Sequence, residues 1–438
     1  MRILILSNYP WRNDNSFGNT YSGIFKNVPN TEIAHIYMLD GLPDPVHNVT
    51  RYYQISEHEI MKSVIKRTNK VGREVFVEDK AEIKDTQCSK AKKKSSYGKL
   101  LSFGKRHHWN LMFFARELAW KFGRVNYEGL MDFIEDFKPD LFFLPYSNVF
   151  YTNRIASYIK KHYNFPMVLE MAMDHYTFKR VSWNPLFWID RIAKRRMIRQ
   201  LASQSEMLFV ISKKLKEELE GDLNIPCRVL YKTPDMGRPY QPYIPEQGKL
   251  KFLFTGNIYA NRWKSLAMLA EGLKKEGIGE LDIYTSTPIS KRMDKALNIP
   301  GASVIHSPVS QPEVVKLQNQ SDVLVHAEAF DKYNKSLVRC AVSTKIMDYL
   351  CAGRCILAIG PSDISSIEYL SDNDLALIAS QKEQLESIID RIKKDKSIIV
   401  NYSKKGREYV KENLDEMSIR LEFRAVLQQV IDNYKHKT

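Results

Sequence analysis

The chain has 438 residues, 44% of them hydrophobic and 27% charged, which is the composition of a globular protein and excludes a disordered one. Its length exceeds what one ordinary core supports, so we expect two domains. The net charge of +15 favours an anionic partner, either a phosphorylated ligand, a nucleic acid or an acidic membrane surface.

The first half alternates short apolar runs with amphipathic stretches, which is typical of a parallel sheet flanked by helices. Buried strands are predicted at residues 2–6, 33–38, 140–144, 167–171 and 207–211. The first run is too short for the core of a secretion signal. Residues from about 67 to 124 break the alternation, and we interpret them as a basic insertion.

The second half restarts the alternation after a proline-rich linker at residues 234–248. Its predicted elements are strands 250–255, 281–284, 302–305, 323–326 and 355–359, helices 265–275, 311–318, 344–351 and 382–394, and a helical segment 403–434. We predict an α/β protein of two doubly wound domains facing across a cleft. Their expected bounds are 1–233 and 249–414, with a helix at about 415–438 returning to the first domain.

The cysteines and the hydropathy predict a cytoplasmic protein. Five scattered cysteines form no CxxC pair, which argues against a zinc site or a disulfide framework. No run approaches the roughly 20 apolar residues of a membrane span, so any membrane contact is expected to be peripheral.

The most informative segment is a helix predicted to begin after Ser343, a residue type that favours the N-cap. The first amides of such a helix, at Thr344 and Lys345, have no partner within it and form an anion site, to which Lys345 adds its charge. Asp348 lies one turn further and can accept sugar hydroxyls. The simpler interpretation is a capped helix with Lys345 in solvent.

This segment, STKIMDYLCAGRCILAIGP, resembles the donor-site helix of family 4-like glycosyltransferases, which have the GT-B fold of two Rossmann-like domains. The resemblance implies that Asp348 binds the ribose hydroxyls of a nucleotide sugar. It also implies that the amides of Thr344 and Lys345 hold the diphosphate. The sequence departs from the family where Cys340 replaces the first of two glutamates.

A second resemblance covers FLFTGNIYANRWKSL at residues 252–266. It implies that Gly256 ends a strand and that Arg262 and Lys264 neutralise the leaving diphosphate, which makes them catalytic as well as donor-binding. His306, after a later strand, would line the pocket of the base. The alternative for Arg262 and Lys264 is an ordinary pair of surface cations.

The acceptor side is predicted from the N-terminal half. A loop with Gly18 and Asn19 would let the backbone approach a ligand, although a loop glycine is more often a simple turn. The strand end MDHY resembles that of some family members and implies that Asp174 and His175 face the acceptor. A His–Asp pair can position or deprotonate a hydroxyl, and structural burial is the alternative.

Two basic clusters in the N-terminal half indicate an anionic membrane surface. One is the segment 89–124, rich in lysine, arginine and aromatic residues. The other is an amphipathic helix that follows Trp183. Its cationic side is expected to hold Arg191, Lys194, Arg195 and Arg199. The alternative is a helix packed on the core with a solvated cationic face.

The resemblance as a whole implies a cytoplasmic glycosyltransferase, peripheral at the inner face of the plasma membrane. It would use a nucleotide-diphosphate sugar and a glycan or lipid-linked acceptor in cell-surface polysaccharide or glycolipid biosynthesis, with retention of anomeric configuration. No cofactor, metal or nucleic acid is expected to bind. A sugar-nucleotide epimerase of the same fold and a nucleic-acid-binding protein are the alternatives.

Overall fold

The computed structural model describes residues 1–12, 15–26, 28–46, 48–66, 70–77 and 110–437, and these contain two largely parallel sheets. Most of the predicted basic insertion, including residues 89–109, lies outside the described residues. The first sheet consists of β1 (Arg2–Ser7), β2 (Glu32–Tyr37), β3 (Val49–Gln54), β4 (Arg73–Val75), β5 (Leu141–Pro145), β6 (Met167–Met171), β7 (Met207–Val210) and β8 (Cys227–Val229). Its order is β4-β3-β2-β1-β5-β6-β7-β8, with β4 antiparallel to β3.

The second sheet is parallel throughout and has the order β11-β10-β9-β12-β13-β14. Its strands are β9 (Leu250–Thr255), β10 (Gly279–Tyr284), β11 (Ser303–His306), β12 (Val323–Ala327), β13 (Cys355–Ile359) and β14 (Leu377–Ala379). Numbered within the sheet, this is the strand order 3-2-1-4-5-6 of a Rossmann domain. The prediction of an α/β fold with two doubly wound sheets is confirmed.

Helices cover both sheets and connect their strands. They are α1 (Ser16–Phe25), α2 (Glu57–Lys66), α3 (Asn110–Phe122), α4 (Tyr127–Phe137), α5 (Phe150–His162), α6 (Pro185–Ser203), α7 (Lys213–Leu223), α8 (Arg262–Glu276), α9 (Lys291–Leu297), α10 (Gln311–Gln320), α11 (Lys332–Val338), α12 (Thr344–Ala352), α13 (Ser365–Asp372), α14 (Lys382–Lys394), α15 (Ser397–Asn413) and α16 (Glu416–Lys437). Within the described ranges, no helix combines the length and apolar composition that crossing a bilayer requires.

All ten predicted strands are present, and the four that were missed have weak sequence signals. β4, β8 and β14 have three residues each, too few for a pattern. β3 carries the polar residues of VTRYYQ and so lacks an apolar run. The predicted helical segment 403–434 is two helices. They break at Leu414, and the side chain of Asp415 accepts a hydrogen bond from the Ser418 amide at 2.7 Å to start α16.

The helix α16 belongs to the core of the first sheet although it follows the second in sequence. Five of its side chains are buried in the cluster that covers one face of that sheet: Phe423, Val426, Leu427, Val430 and Ile431. Arg420 adds a hydrogen bond of 2.7 Å from Nε to the Gly23 carbonyl in α1. The chain therefore crosses back to the first sheet after completing the second.

The orientation predicted for α6 is wrong. Arg191, predicted on the cationic side, is 2% exposed, whereas Leu186 and Ile189, on the apolar side of the same helix, are 44% and 57% exposed. The physical reason is a buried carboxylate, Asp174, whose Oδ1 accepts a hydrogen bond of 2.8 Å from Arg191. Leaving a buried charge unpaired costs more than exposing two aliphatic side chains.

The other three cations predicted for the basic face of α6 are also paired with acids of the same half. Lys194 Nζ contacts Asp190 at 2.6 Å, and Arg195 and Arg199 both contact Asp222, at 2.6 and 3.2 Å. Reversing these charges would therefore disturb the fold before it tested any membrane contact. The basic face predicted for this helix is largely neutralised internally.

We predict that Leu427→Ala lowers the free energy of unfolding by about 2–5 kcal/mol, because Leu427 is fully buried and the change leaves a cavity. The matched control is Leu421→Ala on the same helix, where the side chain is 45% exposed and the loss should stay below about 1 kcal/mol. Urea unfolding followed by circular dichroism measures both. Equal losses in the two variants would contradict the packing of α16 on the first sheet.

Candidate functional site

Two cavities adjoin in the cleft between the sheets. The larger has a volume of about 1020 Å³ and is lined mainly by the N-terminal half, and the smaller, about 270 Å³, mainly by the C-terminal half. Thr20, Lys232 and Thr344 line both. The two cavities therefore meet at these three residues, and ligands bound in both would come together there.

The helix α12 points its N-terminus at this junction. It begins at Thr344 with Ser343 in the N-cap position, as predicted, but the Ser343 side chain accepts no capping hydrogen bond. Instead the Ser343 amide donates to Ser366 Oγ at 3.0 Å. The amides of Thr344 and Lys345 donate to no other described residue, as expected for a first turn. They are available to an anion.

Lys345 lies folded against the end of β9 rather than in solvent. Its ammonium group donates to the Thr255 carbonyl and lies 5.7 Å from the centre of the Phe254 ring. Burial, followed by the charge of Arg262, lowers the pKa of Lys345 to about 8. Lys345 and Gly256 both line the smaller cavity. The structure thus brings the two predicted donor residues together.

Gly256 is needed because of this lysine. Its φ of +142° is strained for other residues, and a Cβ there would lie 1.7 Å from Lys345 Nζ. The glycine therefore keeps the space that the ammonium group occupies.

Asp348 also lines the smaller cavity, and it is paired with a residue that the sequence did not indicate. Lys232 Nζ donates to Asp348 Oδ1 at 2.7 Å, and both side chains are largely buried. Asp348 Oδ2 accepts no hydrogen bond from the described residues, which leaves one oxygen for a ligand hydroxyl. Lys232 follows β8 at the edge of the proline-rich linker, where only its charge distinguishes it.

The two predicted cations of α8 do not line either cavity. Arg262 makes a bidentate ion pair with Glu328, from Nε at 2.8 Å and Nη2 at 2.9 Å. Lys264 Nζ lies 5.9 Å from the centre of the Trp263 ring. To contact a phosphate, Arg262 would have to break its ion pair with Glu328 or keep only one of its two hydrogen bonds. The roles of Arg262 and Lys264 therefore stay predictions.

Near the predicted base pocket, the cavity wall is formed by Tyr284 instead of His306. His306 lies behind it, stacked on the Tyr284 ring at 4.5 Å and bonded from Nε2 to Asp282 Oδ1 at 2.7 Å. Tyr284 ends the neighbouring β10 and lines the smaller cavity, whereas His306 does not, and the base-binding role of His306 stays a prediction.

The predicted acceptor loop at Gly18 and Asn19 is the first part of α1. Asn15 caps this helix by accepting from the Gly18 amide at 2.8 Å, which explains why the segment is not a loop. Residue 18 must be glycine because a Cβ there would lie only 2.1 Å from the carbonyl oxygen of Arg12. Asn19 lines the smaller cavity. Gly18 lines neither cavity.

Asp174 does not line the cavities either, and its carboxylate is fully engaged. Besides Arg191, it accepts from the amides of Tyr176 and Thr177 at 3.0 and 2.8 Å, and from Arg339 Nη2 at 3.2 Å. Burial alone would raise its pKa, but Arg191 and the Thr177 hydrogen bonds hold the pKa below its usual value. These contacts give Asp174 a structural role, which corrects the catalytic one.

Asp174 also belongs to a group of three ligand-type residues with Glu218 and Cys340, whose ligand atoms lie within 4.8 Å of one another. Arg339 already neutralises the group, contacting Glu218 at 2.5 Å as well as Asp174. Burial raises the pKa of the Cys340 thiol to about 12. A guanidinium group thus occupies the position that a cation would need.

His175 does line the larger cavity, without a hydrogen bond to Asp174. Its ring packs against Tyr146 with centroids 5.5 Å apart. Burial, with the charges of Lys194 and Arg191, lowers the pKa of His175 to about 3. With this pKa the imidazole is neutral at physiological pH. It can donate or accept a hydrogen bond with a ligand but offers no positive charge to it.

The larger cavity contains a carboxylate that sequence reasoning missed. Glu170, at the end of β6, lines this cavity and accepts a hydrogen bond of 2.7 Å at Oε2 from the Tyr21 hydroxyl. Its Oε1 accepts none from the described residues. Burial raises the pKa of Glu170 to about 7, although the Tyr21 hydrogen bond lowers it. Its position inside an apolar strand gave no sign that it faces a cavity.

Comparisons with known proteins identify the fold. No family model matches the sequence, and no curated protein does. Among solved structures, a trehalose-6-phosphate protein from E. coli bound with UDP-2-fluoro glucose is 11% identical, covers 98% of this chain and 99% of its own, and superposes with a TM-score of 0.60. Anabaena HepE, in complex with UDP and glucose, is 10% identical over 98% of this chain and 100% of its own, with a TM-score of 0.60.

A third similar structure is WaaG, a glycosyltransferase involved in lipopolysaccharide biosynthesis. It is 11% identical and covers 97% of this chain and 99% of its own, with a TM-score of 0.57. Identities this low carry information about the fold only. The chain has the GT-B fold over nearly its whole length, as the sequence resemblance implied.

Proposed function

We propose that the protein is a glycosyltransferase that takes a sugar from a nucleoside diphosphate donor held in the smaller cavity. The observation that carries this proposal is the arrangement around the N-terminus of α12. Two available amides and the buried Lys345 ammonium offer an anion site, and Asp348 Oδ2 offers an acceptor for hydroxyl groups one turn away. A nucleoside diphosphate carries an anionic diphosphate and the ribose hydroxyl groups close together, so it matches both parts of this site.

The electrostatics of the site suit a leaving diphosphate. Lys345 is mostly protonated at neutral pH, and a bound anion raises the pKa of its ammonium group further. Donors preorganised in a buried site stabilise developing charge more strongly than donors in water. Arg262 and Lys264 would add to this if the pair with Glu328 rearranges when donor binds.

We propose that the sugar is transferred with retention of configuration and without a metal. The bond between the sugar C1 and the diphosphate oxygen breaks, and the acceptor oxygen bonds to C1 on the same face. The acceptor proton passes to the departing phosphate oxygen. The Thr344 and Lys345 amides and the Lys345 ammonium group stabilise the charge that forms there.

The larger cavity would hold the acceptor, because it joins the donor cavity at Thr344 and Lys232. Glu170 Oε1 would accept a hydrogen bond from an acceptor hydroxyl, and His175 would add a neutral partner. We propose a glycan or lipid-linked acceptor, used in the cytoplasm at the inner face of the plasma membrane. UDP, bound in HepE, is the first donor nucleotide to test.

We predict that Lys345→Ala weakens nucleoside diphosphate binding roughly tenfold to hundredfold, because it removes a charge-assisted contact. The wild-type affinity should also fall as the pH rises above about 8, where Lys345 loses its proton, and the variant should not show that fall. Calorimetry with UDP, GDP and ADP measures both effects, with Lys275→Ala, an exposed lysine of α8, as the control.

If none of the three nucleotides binds to the wild type, the proposed function is wrong. If one binds equally well to Lys345→Ala, the assignment of the anion site fails. Incubation with a sugar nucleotide alone distinguishes the epimerase, which would convert it without an acceptor.

We predict that Gly256→Ala weakens nucleotide binding because its methyl group would displace the Lys345 ammonium group. The matched control is Gly248→Ala, which imposes a comparable backbone strain, at φ +108°, but has no atom within 4 Å of the added Cβ. Both variants should lose some stability, and only Gly256→Ala should lose roughly tenfold or more in affinity. Similar affinities in the two variants would show that strain alone, and not Lys345, is responsible.

We predict that Glu170→Gln stabilises the protein at pH 8 by about 2–3 kcal/mol and slows donor turnover. The pKa of Glu170 in the folded state is about 7, above its ordinary value of 4.5, so folding stability falls as pH rises between these values. Glutamine avoids this loss and keeps the Tyr21 hydrogen bond. Urea unfolding at pH 5 and pH 8 measures the difference, with the exposed Glu422→Gln as the control. The same pH dependence in Glu170→Gln and the wild type would contradict the assignment.

A further inference from the structure

Five large apolar side chains of one short segment are exposed to solvent. We call them the apolar tip: Phe178, Trp183, Leu186, Ile189 and Ile192, with exposed fractions of 52%, 98%, 44%, 57% and 42%. Three of them lie on the N-terminal half of α6, and the other two lie in the connection that leads into it. A group of large apolar side chains exposed along one short segment is typical of a site of interaction.

The tip is held rigidly, so its exposure is a property of the fold. Arg191 fixes the rotation of α6 through Asp174, which turns Leu186 and Ile189 outward. The connection is fixed by a hydrogen bond of 3.0 Å from Trp188 Nε1 to the Ser182 carbonyl. The side chain of Asn184 caps the helix by accepting from the Leu186 amide at 3.0 Å.

The tip follows the wall of the larger cavity along the chain. Met173 and His175 line that cavity, and the chain runs from them directly to Phe178 and Trp183. Besides burial, the charge of Lys194 in α6 lowers the pKa of the His175 imidazole, which indicates that this helix runs close to the cavity.

The size and charge of the tip favour a lipid surface over a second copy of the chain. Its five side chains expose on the order of 500 Å², less than the roughly 800 Å² that each partner of a stable interface buries. Arg196, exposed one turn beyond Ile192, forms no ion pair with a described residue. A tryptophan at the end of an apolar face, next to a free cation, is typical of a helix at a membrane interface.

We propose that the apolar tip inserts into the interfacial layer of a lipid bilayer and thereby brings the larger cavity to the membrane. The main contact is apolar insertion, in contrast to the cationic face predicted from the sequence, whose charges are paired internally. Membrane insertion itself does not depend on the proposed function, because it needs no donor. Only the use of that contact, to reach a lipid-linked acceptor, rests on the proposed function.

The test is co-sedimentation with vesicles of phosphatidylcholine that contain phosphatidylglycerol. The double variant Trp183→Ser, Ile189→Ser should lower the partition coefficient roughly tenfold or more, because both side chains leave the lipid. Added salt should weaken wild-type binding only slightly, since insertion is not screened. The matched control is Ile244→Ser, an isoleucine 75% exposed in the linker, which should bind like the wild type.

Absence of wild-type binding to these vesicles overturns the proposal, as does equal binding by the double variant. A wild-type dimer in analytical ultracentrifugation that the double variant converts to a monomer also overturns it, because a second copy would then cover the tip. Calorimetry with nucleoside diphosphates on the same proteins keeps the two proposals separate. Failure to bind nucleotide refutes the proposed function and leaves the vesicle result valid.

Discussion

The arrangement of the cleft depends on one buried carboxylate, Asp174. It receives hydrogen bonds from its own connection, from Arg191 of α6 and from Arg339 of the C-terminal half. Because these three segments converge on one charge, the rotation of α6 and the approach of the two halves are not independent. Arg339 also lies four residues before Ser343, so the same contact restrains the start of α12. Removing one partner would leave a buried charge unpaired, which is among the most costly changes a fold can undergo.

In the proposed donor site a single residue also has two roles, since Lys345 both packs against the end of β9 and lines the smaller cavity. Gly256 supplies the space, Thr255 the carbonyl and Phe254 the ring under the ammonium group. A lysine held in this way has already lost its rotamer freedom before an anion binds. The site is therefore preorganised, and binding energy is not used to order the side chain.

The sequence predicted the sheets and the donor helix because these depend on local patterns. Apolar runs mark strands, and Ser343 with Lys345 and Asp348 marks a helix start beside a cavity. It did not predict Lys232 or Glu170, whose roles come from long-range contacts with Asp348 and Tyr21. It misassigned Arg191 for the same reason. Amphipathic periodicity gives the faces of a helix, but a single buried charge decided which of them turned inward.

The return of α16 to the first sheet has a consequence for synthesis of the chain. The face of that sheet with Ile3, Ile5 and Phe143 is completed by Phe423 and Leu427, which follow the whole second sheet in the chain. The N-terminal half cannot close this face while the ribosome is still making the C-terminal half. A nascent chain therefore exposes an open apolar surface until α16 has been made, and exposed surface of this kind is prone to aggregation.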